Sequence, residues 1–187
     1  TNTIIAGMFQ ERGLFPSDRM AGILASAIVS DTVMFKSPTC TERDRVIAER
    51  MARIAGVSLK ELGREIFSSS RESRSISELL HSDFKEFHIA GHSFAVAQIT
   101  SVDTTELFDR RGEFLAEMAA EAKRKSYDML LMMLTDVLLD GTWLLFVGDE
   151  EVIQNAFSIQ PREGAVFLPH VMSRKKQVIP SLSALWG

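Results

Sequence analysis

Apolar residues recur at helical spacing through the first third of the chain, and gather into short strand-length runs through most of the remainder. Residues 3–12 read as the end of a helix, with Gly13 at its C-cap, where a residue without Cβ can turn left-handed. Ser17 precedes Met20, Ile23, Leu24, Ala27 and Ile28, a set that predicts a helix capped by the serine hydroxyl. Pro38 breaks the chain after Phe35. Thr41 with Asp44 three residues on has the form of a capping box, opening a helix through Val46, Ile47, Met51 and Ile54 that stops at Gly56. Ser58 begins another, from Leu59 to Phe67.

Residues 68–75, Ser-Ser-Ser-Arg-Glu-Ser-Arg-Ser, are polar and lack apolar periodicity, which predicts a linker. Beyond it, residues 85–90 and 94–102 predict two strands paired around Gly91-His92. Residues 105–125 predict one long helix. Residues 129–137 and 143–148 predict apolar strands flanking Asp140-Gly141. A short helix is expected at 150–157, a strand from Ala165 and a helix after Pro180. This alternation predicts an α/β fold, with helices flanking a mixed sheet. The run from Met129 to Val147 is long enough to span a bilayer, but Asp136 and Asp140 would sit in hydrocarbon and Asp-Gly favours a turn. A hairpin in a soluble core is the expectation.

At 187 residues and 45% hydrophobic, the chain can bury one good core or two small ones. A net charge of −4 argues against a general nucleic-acid binder, whose phosphate contacts need a broad basic face. The single cysteine, Cys40, permits no intrachain disulfide, fits a reducing compartment and has no nucleophile signature. The four histidines show no metal-ligand spacing and are expected at the surface or at strand edges. No glycine-rich phosphate loop occurs. Thr1 lacks the features of a natural start and is expected to be a boundary within a longer chain.

Two segments carry chemistry. Ser173-Arg174-Lys175-Lys176-Gln177 sets three adjacent cations after the apolar run 165–171. Such charges repel one another and need either full solvation or an anionic partner. A guanidinium beside ammonium groups suits phosphate, because Arg offers a rigid fork and Lys a mobile point charge. A solvated basic turn is the plainer alternative. Upstream lies Ser30-Asp31-Thr32, followed by Phe35-Lys36-Ser37-Pro38-Thr39. Taken alone, Asp31 reads as a capping or hydrogen-bonded group more readily than as a ligand.

Together the two segments resemble the family II (manganese-dependent) inorganic pyrophosphatases of the DHH phosphoesterase superfamily, which carry S-D-T/S…F-K-S-P-T and S-R-K-K-Q at about this separation. The family's other metal motifs, H-x-D-x-D and D-H-H, do not occur here, so the chain resembles the C-terminal part alone. The resemblance implies the helical tail of a DHH catalytic domain over 1–67, a hinge over 68–75 and a DHH-associated substrate-binding domain with a mixed sheet over 76–187. It implies that Asp31 ligates a Mn²⁺ (or Co²⁺) cluster, with Mg²⁺ also used, and that a metal-bound hydroxide attacks pyrophosphate. Arg174 and Lys175 would then be the catalytic cations that clamp the substrate. The family's linker lysine has its nearest counterpart in Arg74, with Arg71 as the competitor, and Lys36 is a motif member of open role. The implied parent is a cytoplasmic hydrolase, without nucleic-acid or membrane partners and dimeric through its catalytic domain. This chain alone would be inactive. Another DHH phosphoesterase, such as an exopolyphosphatase, and a non-catalytic phosphate-binding module are the alternatives.

Overall fold

The computed structural model describes residues 1–67 and 74–186. Contacts divide the chain into two compact units, Thr1–Ser69 and Ser70–Gly187.

The first unit is helical: α1 (Asn2–Glu11), α2 (Asp18–Asp31), α3 (Glu42–Ala55) and α4 (Leu59–Phe67). Its boundaries follow from local chemistry. Ser17 accepts a hydrogen bond from the Met20 amide at the start of α2. Thr41 and Asp44 close a reciprocal capping box on α3, and Gly56 ends that helix in the left-handed region at φ 67°. Ala21, Leu24, Ala25 and Ile28 of α2 pack against Ile47, Ala48, Met51 and Ala52 of α3. The buried face of α2 is thus rotated from the predicted stripe, since Met20 and Ile23 remain 45% and 63% exposed.

The second unit is built on five strands, β1 (Phe84–Ile89), β2 (His92–Ser101), β3 (Met129–Asp136), β4 (Gly141–Val147) and β5 (Ala165–Pro169). They lie in the sheet in chain order, antiparallel except for the parallel pair β2–β3. A parallel pair needs a crossover, and here it is helical. All eight residues of β3 are buried, as a central strand covered on both faces requires. Side chains alternate between two cores. Ala95, Ala97, Leu130, Met132 and Leu134 face Leu79, Leu80, Phe114 and Met118. Phe94, Val96, Leu131, Met133 and Leu144 face Ile153, Val178 and Leu182. The result is a mixed five-stranded sheet flanked by helices, the predicted α/β class.

Three elements differ from the sequence reading. A short helix α5 (Ile76–Leu80) follows the serine-rich stretch, held by a capping box between Ser75 and Glu78. The helix predicted over 105–125 is two, α6 (Thr105–Asp109) and α7 (Arg111–Lys125). At Arg110 ψ turns to 12°, while its guanidinium forks onto Glu113 and Phe108 packs on Trp143 at 4.1 Å. Buried Leu107, Phe114 and Met118 keep helical spacing straight through this break, so periodicity alone reads it as one helix. Finally, α8 (Glu150–Phe157) forms as expected, but α9 (Ile179–Trp186) is preceded by a five-residue π-helical turn, Arg174–Val178. Among the described residues no helix is long and apolar enough to cross a membrane.

Candidate functional site: a cationic π-turn and an upstream carboxylate

The π-turn that carries the cations starts at Ser173, whose hydroxyl accepts from the Lys176 amide. Turns of this kind are rare and concentrate at functional sites, because widening the helix re-aims side chains. Here the re-aiming separates neighbours. Lys175 and Lys176 are exposed, whereas Arg174 is only 5% exposed and faces the sheet. Arg174 Nη1 donates to the carbonyl oxygens of Asp83 (2.8 Å) and Val96 (2.9 Å), and Nη2 donates to Asp83 Oδ1 (2.8 Å). Its Nε is buried and, among the described residues, has no hydrogen-bond partner. The Asp83 side chain is 49% exposed, so this ion pair lies at the rim of the unit, half in solvent.

The segment ahead of the turn is held at His170 by its amide, which donates to the Asp140 carbonyl at 2.7 Å, and beyond it by side chains. Gln177 Oε1 accepts from the amides of Met172 and Ser173, both at 2.9 Å, and its Nε2 donates to the His170 carbonyl at 2.7 Å. Thr142 Oγ1 donates to the Val171 carbonyl at 2.6 Å. Gln98 Nε2 donates to the Met172 carbonyl (3.3 Å) and to Thr135 Oγ1 (3.0 Å). Gln98 of β2 and Thr142 of β4, both bonded to Thr135 of β3, thereby fasten the segment ahead of the cationic turn to the sheet. The motif made Arg174 and Lys175 visible, but Asp83, Gln98 and Thr142 lie far away in sequence and gave no signal.

In the first unit, Asp31 is the last residue of α2 and is exposed. The three residues after Thr32 run in the left-handed region: Val33 at φ 50°, Met34 at 51° and Phe35 at 66°. For a β-branched valine this is a true outlier, and strain of this sort persists only where the surroundings over-determine it. The buried Thr32 hydroxyl donates to the Ile28 carbonyl at 2.7 Å and accepts from the Phe35 amide at 3.2 Å. Arg45 Nη2 donates to the Phe35 carbonyl at 2.8 Å, with its guanidinium carbon 5.2 Å from the Phe35 ring centroid. The F-K-S-P-T segment is therefore a pinned turn directly behind Asp31.

Arg74 is exposed, one residue before the cap of α5, and its charge helps to hold the Glu78 carboxyl below its ordinary range, after the hydrogen bonds from Ser75. Arg71 lies outside the described residues. Lys36 is half-buried within the turn behind Asp31. His81, His88 and His170 are exposed and His92 is half-buried, at helix ends or strand margins.

Asp31 offers a hard carboxylate oxygen of the kind Mn²⁺, Co²⁺ or Mg²⁺ accepts. Among the described residues, however, no three His, Cys, Asp or Glu side chains come together to hold a metal ion. Asp31 makes no metal site by itself.

A family model described as "DHHA2 domain" matches residues 66–185. The chain is 38% identical to a cobalt-dependent inorganic pyrophosphatase of Clostridium perfringens, over 99% of its own length and 34% of the relative's. It is 39% identical to a manganese-dependent inorganic pyrophosphatase of Methanothrix thermoacetophila, over 98% and 61%. A solved structure from Methanococcus jannaschii, described as a candidate family II inorganic pyrophosphatase, superposes with a TM-score of 0.83 at 33% identity, covering 99% of this chain and 64% of that one. The chain thus spans from about a third to about three fifths of the length of the curated relatives it matches. The resemblance drawn from the two motifs agrees with all of these matches.

Proposed function

We propose, from the premise that the chain belongs to the DHHA2 domain family, that it is the C-terminal part of a protein that hydrolyses inorganic pyrophosphate to two phosphates. The observation that carries this reading is the match to relatives named as inorganic pyrophosphatases along virtually the whole chain, with the S-R-K-K-Q segment folded as a turn that exposes Lys175. Mn²⁺ or Co²⁺, used in the relatives so named, would serve the parent protein with Mg²⁺ alongside, and Asp31 would be one ligand among several from upstream.

The residues of this chain bind and orient. Lys175 extends an ammonium group into solvent, ready to meet a phosphate oxygen. Arg174 is paired in this state, and reaching the substrate requires it to exchange the half-exposed Asp83 carboxylate for a phosphate oxygen. Each charge-assisted hydrogen bond to pyrophosphate would contribute about 1.5–3 kcal/mol. The two cations would also offset charge that builds on the departing phosphate. Arg74 would supply a third positive group. The hinge proposed over 68–75, of which residues 68–73 lie outside the described residues, would join the catalytic tail over 1–67 to the substrate-binding domain over 76–187.

The test is phosphate release by the full-length protein and by this chain alone, each with Mn²⁺ or Co²⁺, on pyrophosphate and tripolyphosphate. The reading expects turnover by the full-length protein, preference for pyrophosphate and no turnover by the chain alone. Turnover by the chain alone, or a clear preference for the longer phosphate, would overturn it.

A further inference from the structure

We infer that Gln177 is a positioning residue for the cation clamp: it fixes the backbone on which Lys175 is carried, without touching substrate itself. This rests on the pyrophosphatase reading above and adds to it the group that sets the geometry of the turn.

The turn needs such a group. Beyond β5, which ends at Pro169, the His170 amide still donates to the Asp140 carbonyl at 2.7 Å, and residues 171–173 then lead away from the strand to the π-turn at Arg174. Backbone groups in such a link require side chains to satisfy them. Gln177 supplies three of those bonds from one amide, accepting at Oε1 from Met172 and Ser173 and donating from Nε2 to His170. It sits inside the turn it stabilises, two residues past Lys175 and three past Arg174. Its side chain therefore closes a loop around the cations. The Gln177 amide also donates to the Ser173 carbonyl at 3.0 Å, fixing the turn a second time through its main chain.

Consequently the position of Lys175 relative to the sheet depends on the Gln177 carboxamide. A lysine has four rotatable bonds, and an unfixed backbone would add its own freedom to theirs. Displacing a substrate-orienting group by about 1 Å costs up to ~100-fold in rate. Glutamine is the residue for this task, because it combines acceptor and donor at one end of a side chain. Glutamate can accept the two amide bonds but cannot donate to the His170 carbonyl. Methionine has nearly the same length and volume and can do neither.

The experiment is a double-mutant cycle in the full-length protein, with kcat and KM for pyrophosphate measured for the parent, Gln177→Met, Lys175→Ala and the double variant. Gln177→Met is expected to lower kcat/KM about 10- to 100-fold with Lys175 present, and to change it less than about twofold in the Lys175→Ala background. Gln177→Glu, which keeps two of the three bonds, is expected to fold and to fall between parent and Gln177→Met. If Gln177→Met falls equally in both backgrounds, Gln177 only stabilises the fold and the inference fails. It fails as well if Gln177→Met and Gln177→Glu both stay within twofold of the parent. A parent that does not hydrolyse pyrophosphate, or that is indifferent to Lys175→Ala, would instead remove the clamp reading and this inference with it.

Discussion

Asp136 should be among the most costly single residues to remove from the second unit. It is 2% exposed at the end of the central strand, and its carboxylate accepts three hydrogen bonds. Two come from Thr104, from its amide at 2.8 Å and its hydroxyl at 2.9 Å; the third comes from the Leu139 amide at 2.8 Å. Asp136 therefore ties the entry of α6 and the β3–β4 turn to the sheet. In Asp136→Ala the two Thr104 donors stay buried, since Thr104 is 1% exposed, and each orphaned donor costs about 1–3 kcal/mol. The Leu139 amide belongs to a turn whose side chain is 58% exposed, and water can replace its lost acceptor. Releasing a buried carboxylate returns part of the loss. The expected net destabilisation is about 3 kcal/mol, against a total of ~5–15 kcal/mol for a domain. Both tryptophans, Trp143 and Trp186, lie in the second unit, so urea unfolding followed by tryptophan fluorescence reports on that unit. Thr104→Val removes the hydroxyl bond alone and should cost about 1 kcal/mol. An Asp136→Ala unfolding free energy within about 0.5 kcal/mol of the parent, at unchanged denaturant slope, would refute this account.

Three further outcomes are expected. Lys175→Ala should leave the unfolding free energy within about 0.5 kcal/mol of the parent while lowering kcat/KM of the full-length protein about 100-fold, whereas Arg174→Met should lower both, because only Arg174 is bonded into the sheet. Gly148→Ala should lower the melting temperature measured by circular dichroism by about 10 °C, since Gly148 has φ 135° and an added Cβ would lie 2.8 Å from the Asp128 carbonyl oxygen. The Glu121 carboxyl is held below its ordinary range, first by its hydrogen bonds with Arg124 and less by His81. A lowered folded pKa gives stability that is present above the unfolded value of ~4.3 and lost as pH falls through the folded one. Glu121→Gln should accordingly flatten the acid limb of a stability-versus-pH curve below about pH 4, and an unchanged limb would count against the pair.

The sequence made local structure legible where one or two residues decide it. Ser17, the Thr41–Asp44 box and Gly56 act within a single turn, so their spacing alone carries the information. The same rule would have found α5, whose Ser75–Glu78 box lies at the edge of a stretch that reads as linker by composition. The break at Arg110 was hidden for the opposite reason: the apolar residues on either side keep a common period. At the cationic turn, adjacent letters gave no hint that Arg174 would be buried and Lys175 exposed. Their division depends on a π-turn and on an acceptor 91 residues upstream, and neither leaves a trace in local pattern.

Because the strands lie side by side in the order of the chain, most of the sheet can zip from near neighbours, through the hairpins β1–β2, β3–β4 and β4–β5. The bonds of Arg174 to Asp83 and Val96 join residues 91 and 78 positions apart in the chain. Long closures come late in folding. A nascent chain halted just short of Ser173 would hold all five strands but neither the cationic turn nor Val178 and Leu182, which cover one face of the sheet.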